Sequence, residues 1–206
     1  MNDDRLAWIY SATTPAELRQ RYEVWAADYD ADLDELGWRA PIVAAERCAA
    51  FLSTDGEVLD AGCGTGQVGV ALRAAGVANV VGFDLSPAML TRAGATLAYT
   101  ELHQGSLLEP LPFAPGRFAA AVSVGVFTCG HVGPAAFAGL AGSVAAGGHV
   151  TLSFRSDAID PLGYAVEMDR LERAGTWQLA ERTEPAPLIV EQGKAVDMIV
   201  MTWRVL

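Results

Sequence analysis

Val58-Leu59-Asp60-Ala61-Gly62-Cys63-Gly64-Thr65-Gly66 reads as a short apolar strand that ends at Asp60 and runs into a glycine-rich turn. A helix follows, with Val68, Leu72 and Ala75 on one stripe and Gly76 at its close. Glycines between a strand and a helix let backbone N–H groups approach a ligand closely. Two registers fit. Gly64-Thr65-Gly66-Gln67-Val68-Gly69 matches G-x-G-x-x-G, the dinucleotide pattern. Asp60-x-Gly62-x-Gly64-x-Gly66 instead sets a carboxylate at the strand end, ahead of all three glycines. A P-loop is excluded, because no Gly-Lys-Ser/Thr follows.

The next strand, Val80-Val81-Gly82-Phe83, ends at Asp84, 20 residues after Gly64. An acid there can accept hydrogen bonds from both hydroxyls of a ribose. Dinucleotides and S-adenosylmethionine (SAM) both carry that ribose, so Asp84 does not choose between them. Asp60 does. A carboxylate is poorly placed beside a pyrophosphate, but it attracts the ammonium and sulfonium groups of SAM. About 55 residues also precede the first strand, whereas a dehydrogenase usually opens with its fingerprint. After residue 150 too little chain remains for a separate substrate domain.

Ser86-Pro87 is an N-cap followed by proline at the first helical position, and Met89, Leu90, Ala93 and Leu97 follow at helical spacing. Strands are expected near Thr100–His103, Phe118–Gly125 and His149–Phe154, with a helix over 134–146 between the last two. A further helix opens at Asp160-Pro161. Two strands end the chain, near 177–183 and 196–205, joined by little more than a turn containing Pro185 and Pro187. They can pair antiparallel. Residues 1–54 look helical, with one start near Pro15 and another at Pro41. Strands alternating with helices imply parallel βαβ units with right-handed crossovers. The expected fold is therefore α/β: a doubly wound, Rossmann-like sheet over 55–206, an antiparallel C-terminal edge, and a helical lid over 1–54, all in a single domain.

The 206 residues are 51% hydrophobic and 19% charged, which reads as globular. Lys plus Arg number 14 and Asp plus Glu 25, a net charge of −11. Such a surface repels phosphate backbones and anionic membranes, so neither nucleic acid nor membrane is an expected partner. No run approaches the ~18–20 apolar residues of a membrane span. Met1-Asn2-Asp3-Asp4-Arg5 is not the basic start of a signal peptide. Cys48, Cys63 and Cys129 are few and far apart, which fits free thiols in the cytoplasm rather than disulfides.

At these residues the chain resembles class I SAM-dependent methyltransferases. Asp60-x-Gly62-x-Gly64-x-Gly66 is similar to the family's first motif, and Gly82-Phe83-Asp84-Leu85-Ser86 with Pro87-x-Met89-Leu90 to its second. Leu111-Pro112-Phe113 resembles the approach to its fourth strand. Tyr22-x-x-Trp25-Ala26-x-x-Tyr29-Asp30 and Trp38-Arg39-Ala40-Pro41 resemble the N-terminal blocks of methyltransferase-like proteins of the Williams–Beuren syndrome chromosome region type. The resemblance implies a seven-stranded sheet of order 3-2-1-4-5-7-6 with strand 7 antiparallel. It implies SAM as cofactor, with S-adenosylhomocysteine as product. It places Asp60 under the methionine moiety, near its ammonium. Gly62, Cys63, Gly64 and Gly66 would form the cofactor loop, and Asp84 would hold the ribose. Leu85 and Met89 would lie against one side of the adenine, Ser106 and Leu107 against the other. Val124 and Gly125 would sit under the sulfonium, while Tyr29 and Arg39 close the lid, Arg39 on the methionine carboxylate. The chain departs from its relatives at Ser106, where most carry an acid, and at Ala119, where many carry Asp.

Methyl transfer from SAM needs chiefly alignment and exclusion of water, with a general base optional. His131, in the loop after the Phe118–Gly125 strand, is the candidate base. Cys129 beside it reads as an inert thiol, and His103 and His149, on strand signals, as structural. No His/Cys/Asp set has metal spacing. Trp25 and Tyr29, four apart, suit an aromatic lid and core packing equally. Phe127, Tyr164 and Trp177 are possible walls of an acceptor pocket. Asp28, Asp30, Asp32, Asp34 and Glu35 read as a solvated face. The expected function is methyl transfer to a small-molecule acceptor. The alternative is a SAM-binding regulatory or partner-binding protein without transfer, and a nicotinamide-linked oxidoreductase rests on the Gly64–Gly69 match alone.

Overall fold

The computed structural model describes residues 2–52, 55–128, 132–191 and 193–206, with side chains from Arg5 onward. Four helices come first: α1 (Asn2–Tyr10), α2 (Pro15–Trp25), α3 (Tyr29–Glu35) and α4 (Ala40–Phe51). Thr14 caps α2 by accepting from the Glu17 N–H at 3.2 Å, with Pro15 in the first turn. Then come β1 (Val58–Ala61), α5 (Gln67–Ala74), β2 (Val80–Asp84), α6 (Pro87–Ala95), β3 (Glu101–Gln104), β4 (Phe118–Phe127), α7 (Ala136–Ser143), β5 (Val144–Arg155), α8 (Tyr164–Arg173), β6 (Trp177–Arg182), β7 (Ala186–Glu191) and β8 (Lys194–Val205).

The sheet runs β3-β2-β1-β4-β5-β8-β6, with β1 to β5 parallel and β8 antiparallel to both β5 and β6. That is the expected order, with β8 in the place of strand 7. Period-two alternation divides the core. Val58, Val80, Val122 and Val200 face the side covered by α1 to α5. Leu59, Val81, Leu152 and Trp203 face the side covered by α7 and α8. There Trp177 stacks on Trp203 at 4.7 Å between ring centroids, and the Tyr164 hydroxyl donates to the Val132 carbonyl. Tyr164 and Trp177 thus belong to the core.

The structure corrects several element boundaries. The Pro185–Pro187 region is not a bare turn, because β7 forms there and pairs with the first half of β8. β8 is long enough to hold β7 along its first half and β6 along its second. The helix expected over 134–146 stops at Ser143, and β5 begins at once at Val144. The helix expected from Asp160 begins at Tyr164, behind a left-handed Gly163. Leu97 lies beyond α6, exposed, with φ of 58° at a position glycine usually fills.

Gly66 fixes how the turn after β1 meets α6. Its φ is 100°, and a Cβ there would lie 3.1 Å from the Ala93 Cα and from the side chains of Thr96 and Tyr99. Gly66→Ala should therefore cost about 2–3 kcal/mol and lower the Tm by roughly 5–10 °C. A thermal melt within 1–2 °C of wild type, on the order of the shift set by a sub-kcal/mol change, would show that this contact is not tight.

Candidate active site

The order of the parallel strands reverses between β1 and β4, and open α/β sheets bind ligands at that point, beyond the carboxyl ends of the strands. The glycine turn lies here. Gly62 and Cys63 N–H groups both donate to the Phe83 carbonyl, at 2.7 and 3.1 Å, which bends the chain back over the end of β2. Gly62, Gly64 and Gly66 all have positive φ. Asp84 ties the turn to the start of α6: its Oδ2 accepts from Gly64 N–H and its Oδ1 from Ser86 N–H, each at 2.9 Å. Burial raises the Asp84 carboxyl above its ordinary pKa, with these hydrogen bonds opposing.

A cavity of about 410 Å³ opens over this turn. Gly62, Gly64 and Asp84 form its floor, with Leu85 and Met89 from the α6 side. Ser106 and Leu107, after β3, form the facing wall, and Val124 closes the β4 end. Tyr29 covers it from α3. Ala12, Thr13, Thr14, Leu18 and Tyr22 also line it, and sequence reading missed them. Their signals were the Thr13-Thr14-Pro15 helix start, which marks a cap without saying what lies beneath, and Tyr22 in the block that it shares with Trp25 and Tyr29. Among the described residues lining the cavity there is no Lys, Arg or His.

Four predicted site residues do not line the cavity. Gly66 is spent on packing. Cys63 is buried, and burial raises its thiol pKa. Arg39 is exposed at the start of α4, where its N–H donates to the Leu188 carbonyl. Asp60 is fully buried beneath the turn. Its Oδ2 accepts from the Tyr99 hydroxyl at 2.7 Å, while Oδ1 has no hydrogen-bond partner. Burial pushes this carboxyl up to about 7, against the Tyr99 bond and with the Asp84 charge adding to the rise. His131 and Cys129 lie outside the described residues.

The acidic run of α3 is not merely a solvated face. Asp30 accepts from Thr65 Oγ1 at 2.6 Å and from Gln67 Nε2 at 2.9 Å, and so fastens the helical cover to the glycine turn. Asp32 accepts from Trp25 Nε1 at 2.7 Å and pairs with Arg5, which also pairs with Asp28. Trp25 is buried in the core, its ring 4.6 Å from that of Tyr29. His103 pairs with Glu101, and His149 packs on Phe51, both away from the cavity. No group of metal-ligating side chains occurs among the described residues, and no helix among them is long and apolar enough to cross a membrane.

A glycine turn tied to an acid at the neighbouring strand end, in a sheet of this order, defines the class I, SAM-dependent methyltransferase fold. Residues 58–148 match the methyltransferase domain family. Human Methyltransferase-like protein 27 is 39% identical over 165 residues, covering 76% of this chain and 66% of its own length, so the chain spans just under two thirds of that relative. Among solved structures, a TehB-like SAM-dependent methyltransferase from Corynebacterium glutamicum aligns with a TM-score of 0.64 at 20% identity, over 91% of this chain and 99% of that one. The 4+2 cyclase SpnF aligns with a TM-score of 0.70 at 13% identity, over 94% and 97%. These last two show the fold.

The Asp60 geometry has a consequence for stability. Between about pH 4 and 7 the native state keeps a proton on Asp60 that the unfolded chain, with a carboxyl near 3.8, has released. Stability therefore falls as pH rises through that window, by up to about 4 kcal/mol from this group, and then levels off. Asp60→Asn removes the ionisation, so its Tm should gain on wild type from pH 4 to 7. Parallel Tm profiles of the two proteins would contradict the buried, part-unpartnered carboxyl.

Proposed function

We propose that this protein transfers a methyl group from SAM to a small-molecule acceptor, with residues 1–54 as a lid over the core of 55–206. The observation that carries the reading is the charge of the cavity: Asp84 in its floor, Asp60 beneath, and no basic side chain among its described lining. A dinucleotide pyrophosphate would meet the Asp84 carboxyl with no basic side chain among the described lining to offset it, whereas a ligand with ammonium and sulfonium charges is favoured.

The residues present fit SAM in other respects. A Cβ on Gly64 would meet no atom within 4 Å, so its backbone faces open space that a ligand can enter. The Asp84 carboxylate accepts two backbone hydrogen bonds and retains lone pairs toward the cavity for a ribose diol. Leu85, Met89 and Leu107 offer an apolar slot for a flat base. The unpartnered Asp60 Oδ1 lies under the turn, where it favours a cation above. When bound, SAM supplies a methyl group already activated on a positive sulfur. The chain then has to orient the acceptor and exclude water, and Tyr22 and Tyr29 in the cover do the latter. His131 is our candidate for taking up the acceptor proton, and Arg39 reaches the cofactor only if the lid moves. The acidic chain and a cavity held under helices favour a small molecule over nucleic acid or membrane as partner. The free thiols of Cys48 and Cys63 favour the cytoplasm.

Calorimetric titration with SAM tests the assignment. Asp84→Ala should weaken SAM binding by about 100-fold, the loss of two charge-assisted hydrogen bonds. Asp84→Asn, which keeps the carbonyl acceptor for the turn, should weaken it by about tenfold. Unchanged affinity in both would remove Asp84, and with it this reading of the cavity.

A further inference from the structure

Gly69 closes the G-x-G-x-x-G match, yet it lies on α5 and does not line the cavity. Tyr99, in the loop between α6 and β3, accounts for it. A Cβ on Gly69 would lie 2.3 Å from Cζ of the Tyr99 ring and 2.5 Å from its hydroxyl oxygen. A Cβ on Gly66 would lie 3.1 Å from the same ring, and one on Gly82 3.0 Å. Three glycines from three segments thus leave room for one aromatic side chain. The Tyr99 hydroxyl accepts from Gly69 N–H at 3.2 Å and donates to Asp60 Oδ2 at 2.7 Å. A phenylalanine would fill the same cradle, so packing alone does not account for the hydroxyl. Burial and the Asp60 charge hold this phenol far above its ordinary pKa, which keeps it a donor at every working pH.

Asp60 depends on that donor. It is fully buried, and the titratable groups that act on it among the described residues are acids, thiols and a phenol. They are Asp84 at the end of β2, Cys63 in the turn, Cys48 on α4 and Tyr99 itself. None is a cation. Desolvation favours the protonated carboxyl, while the Tyr99 hydroxyl and Gly69 N–H favour the carboxylate. These opposing effects leave the two forms balanced near neutrality. A cation bound above the turn tips that balance to the carboxylate, and the carboxylate in return strengthens its binding.

We propose that Tyr99 is a positioning residue for the cofactor: its hydrogen bond holds Asp60 beneath the glycine turn and favours its carboxylate form, so that binding of the cofactor's ammonium releases the Asp60 proton to solvent. The proposal rests on the SAM reading above and adds a proton linkage to it. The last glycine of the G-x-G-x-x-G match then serves Tyr99 and Asp60 rather than a pyrophosphate.

Calorimetry of S-adenosylhomocysteine binding to the intact chain tests this, since that ligand keeps the ammonium and does not react. At about pH 6.5, wild type titrated in two buffers of different ionisation enthalpy should release about half a proton or more, and Asp60→Asn should abolish the release. Tyr99→Phe keeps the ring and raises the Asp60 pKa. It should weaken binding about tenfold near pH 6 and by less than about twofold near pH 8.5, where Asp60 is ionised in both proteins. The ligand's own titration cancels in the ratio to wild type. A purely structural tyrosine would lower affinity by one factor at every pH. A ratio independent of pH would overturn the proposal, and so would wild type that binds without releasing a proton, a result that needs no variant to fold. Failure of S-adenosylhomocysteine to bind wild type at any pH would instead overturn the cofactor reading.

Discussion

One carboxylate organises the site. Asp84 reaches across from the end of β2 and accepts from Gly64 N–H in the turn after β1 and from Ser86 N–H at the start of α6. Three chain segments are held in register by two bonds of 2.9 Å, each worth about 1.5–3 kcal/mol before desolvation is counted. Desolvation is substantial, as the raised carboxyl pKa shows. The cost is tolerable because the same oxygens face a cavity in which a ligand's hydroxyls can complete their hydrogen bonding. The positive φ at Gly64 follows from this arrangement: only a residue without a side chain can turn its N–H toward Asp84 and leave its other face open.

The helical cover depends on the same turn. Asp30 binds Thr65 and Gln67, the two residues flanking Gly66, so α3 sits on the glycine turn rather than merely near it. That contact places Tyr29 at the cavity that holds Asp84, and with it the aromatic cluster of Tyr22, Trp25 and Tyr29. Beneath the turn, Tyr99 holds Asp60 by one oxygen and packs against Gly69 and Gly82, where any side chain would collide with its ring. The turn is thus fixed from above by α3, from the side by Asp84 and from below by Tyr99.

What could be read from sequence was what depends on local spacing. The glycines, Asp84, the Ser86 cap, the helix start near Pro15 and the alternation of strands and helices each follow from backbone requirements within a few residues. Asp60 was legible as an acid at a strand end. Its direction was not, because it is set by Tyr99, 39 residues away. Asp30 read as surface charge, since its partners lie 35 and 37 residues on. Tyr10 meets Glu191 across 181 residues, and Arg155 meets Glu191 across 36, which no periodicity encodes. β7 was missed because Pro185 and Pro187 read as a turn. Gly193, with φ of 69° directly before β8, was the hairpin signal that would have revealed it.

Thermal unfolding with SAM, S-adenosylhomocysteine and NAD side by side tests the central claim most directly. At a hundredfold excess over Kd, a ligand that binds the native state adds about 2.7 kcal/mol. In a chain of this size that raises the Tm by roughly 5–10 °C. The account predicts that rise with both adenosyl compounds and none with NAD. A rise with NAD alone, or with none of the three, would contradict it.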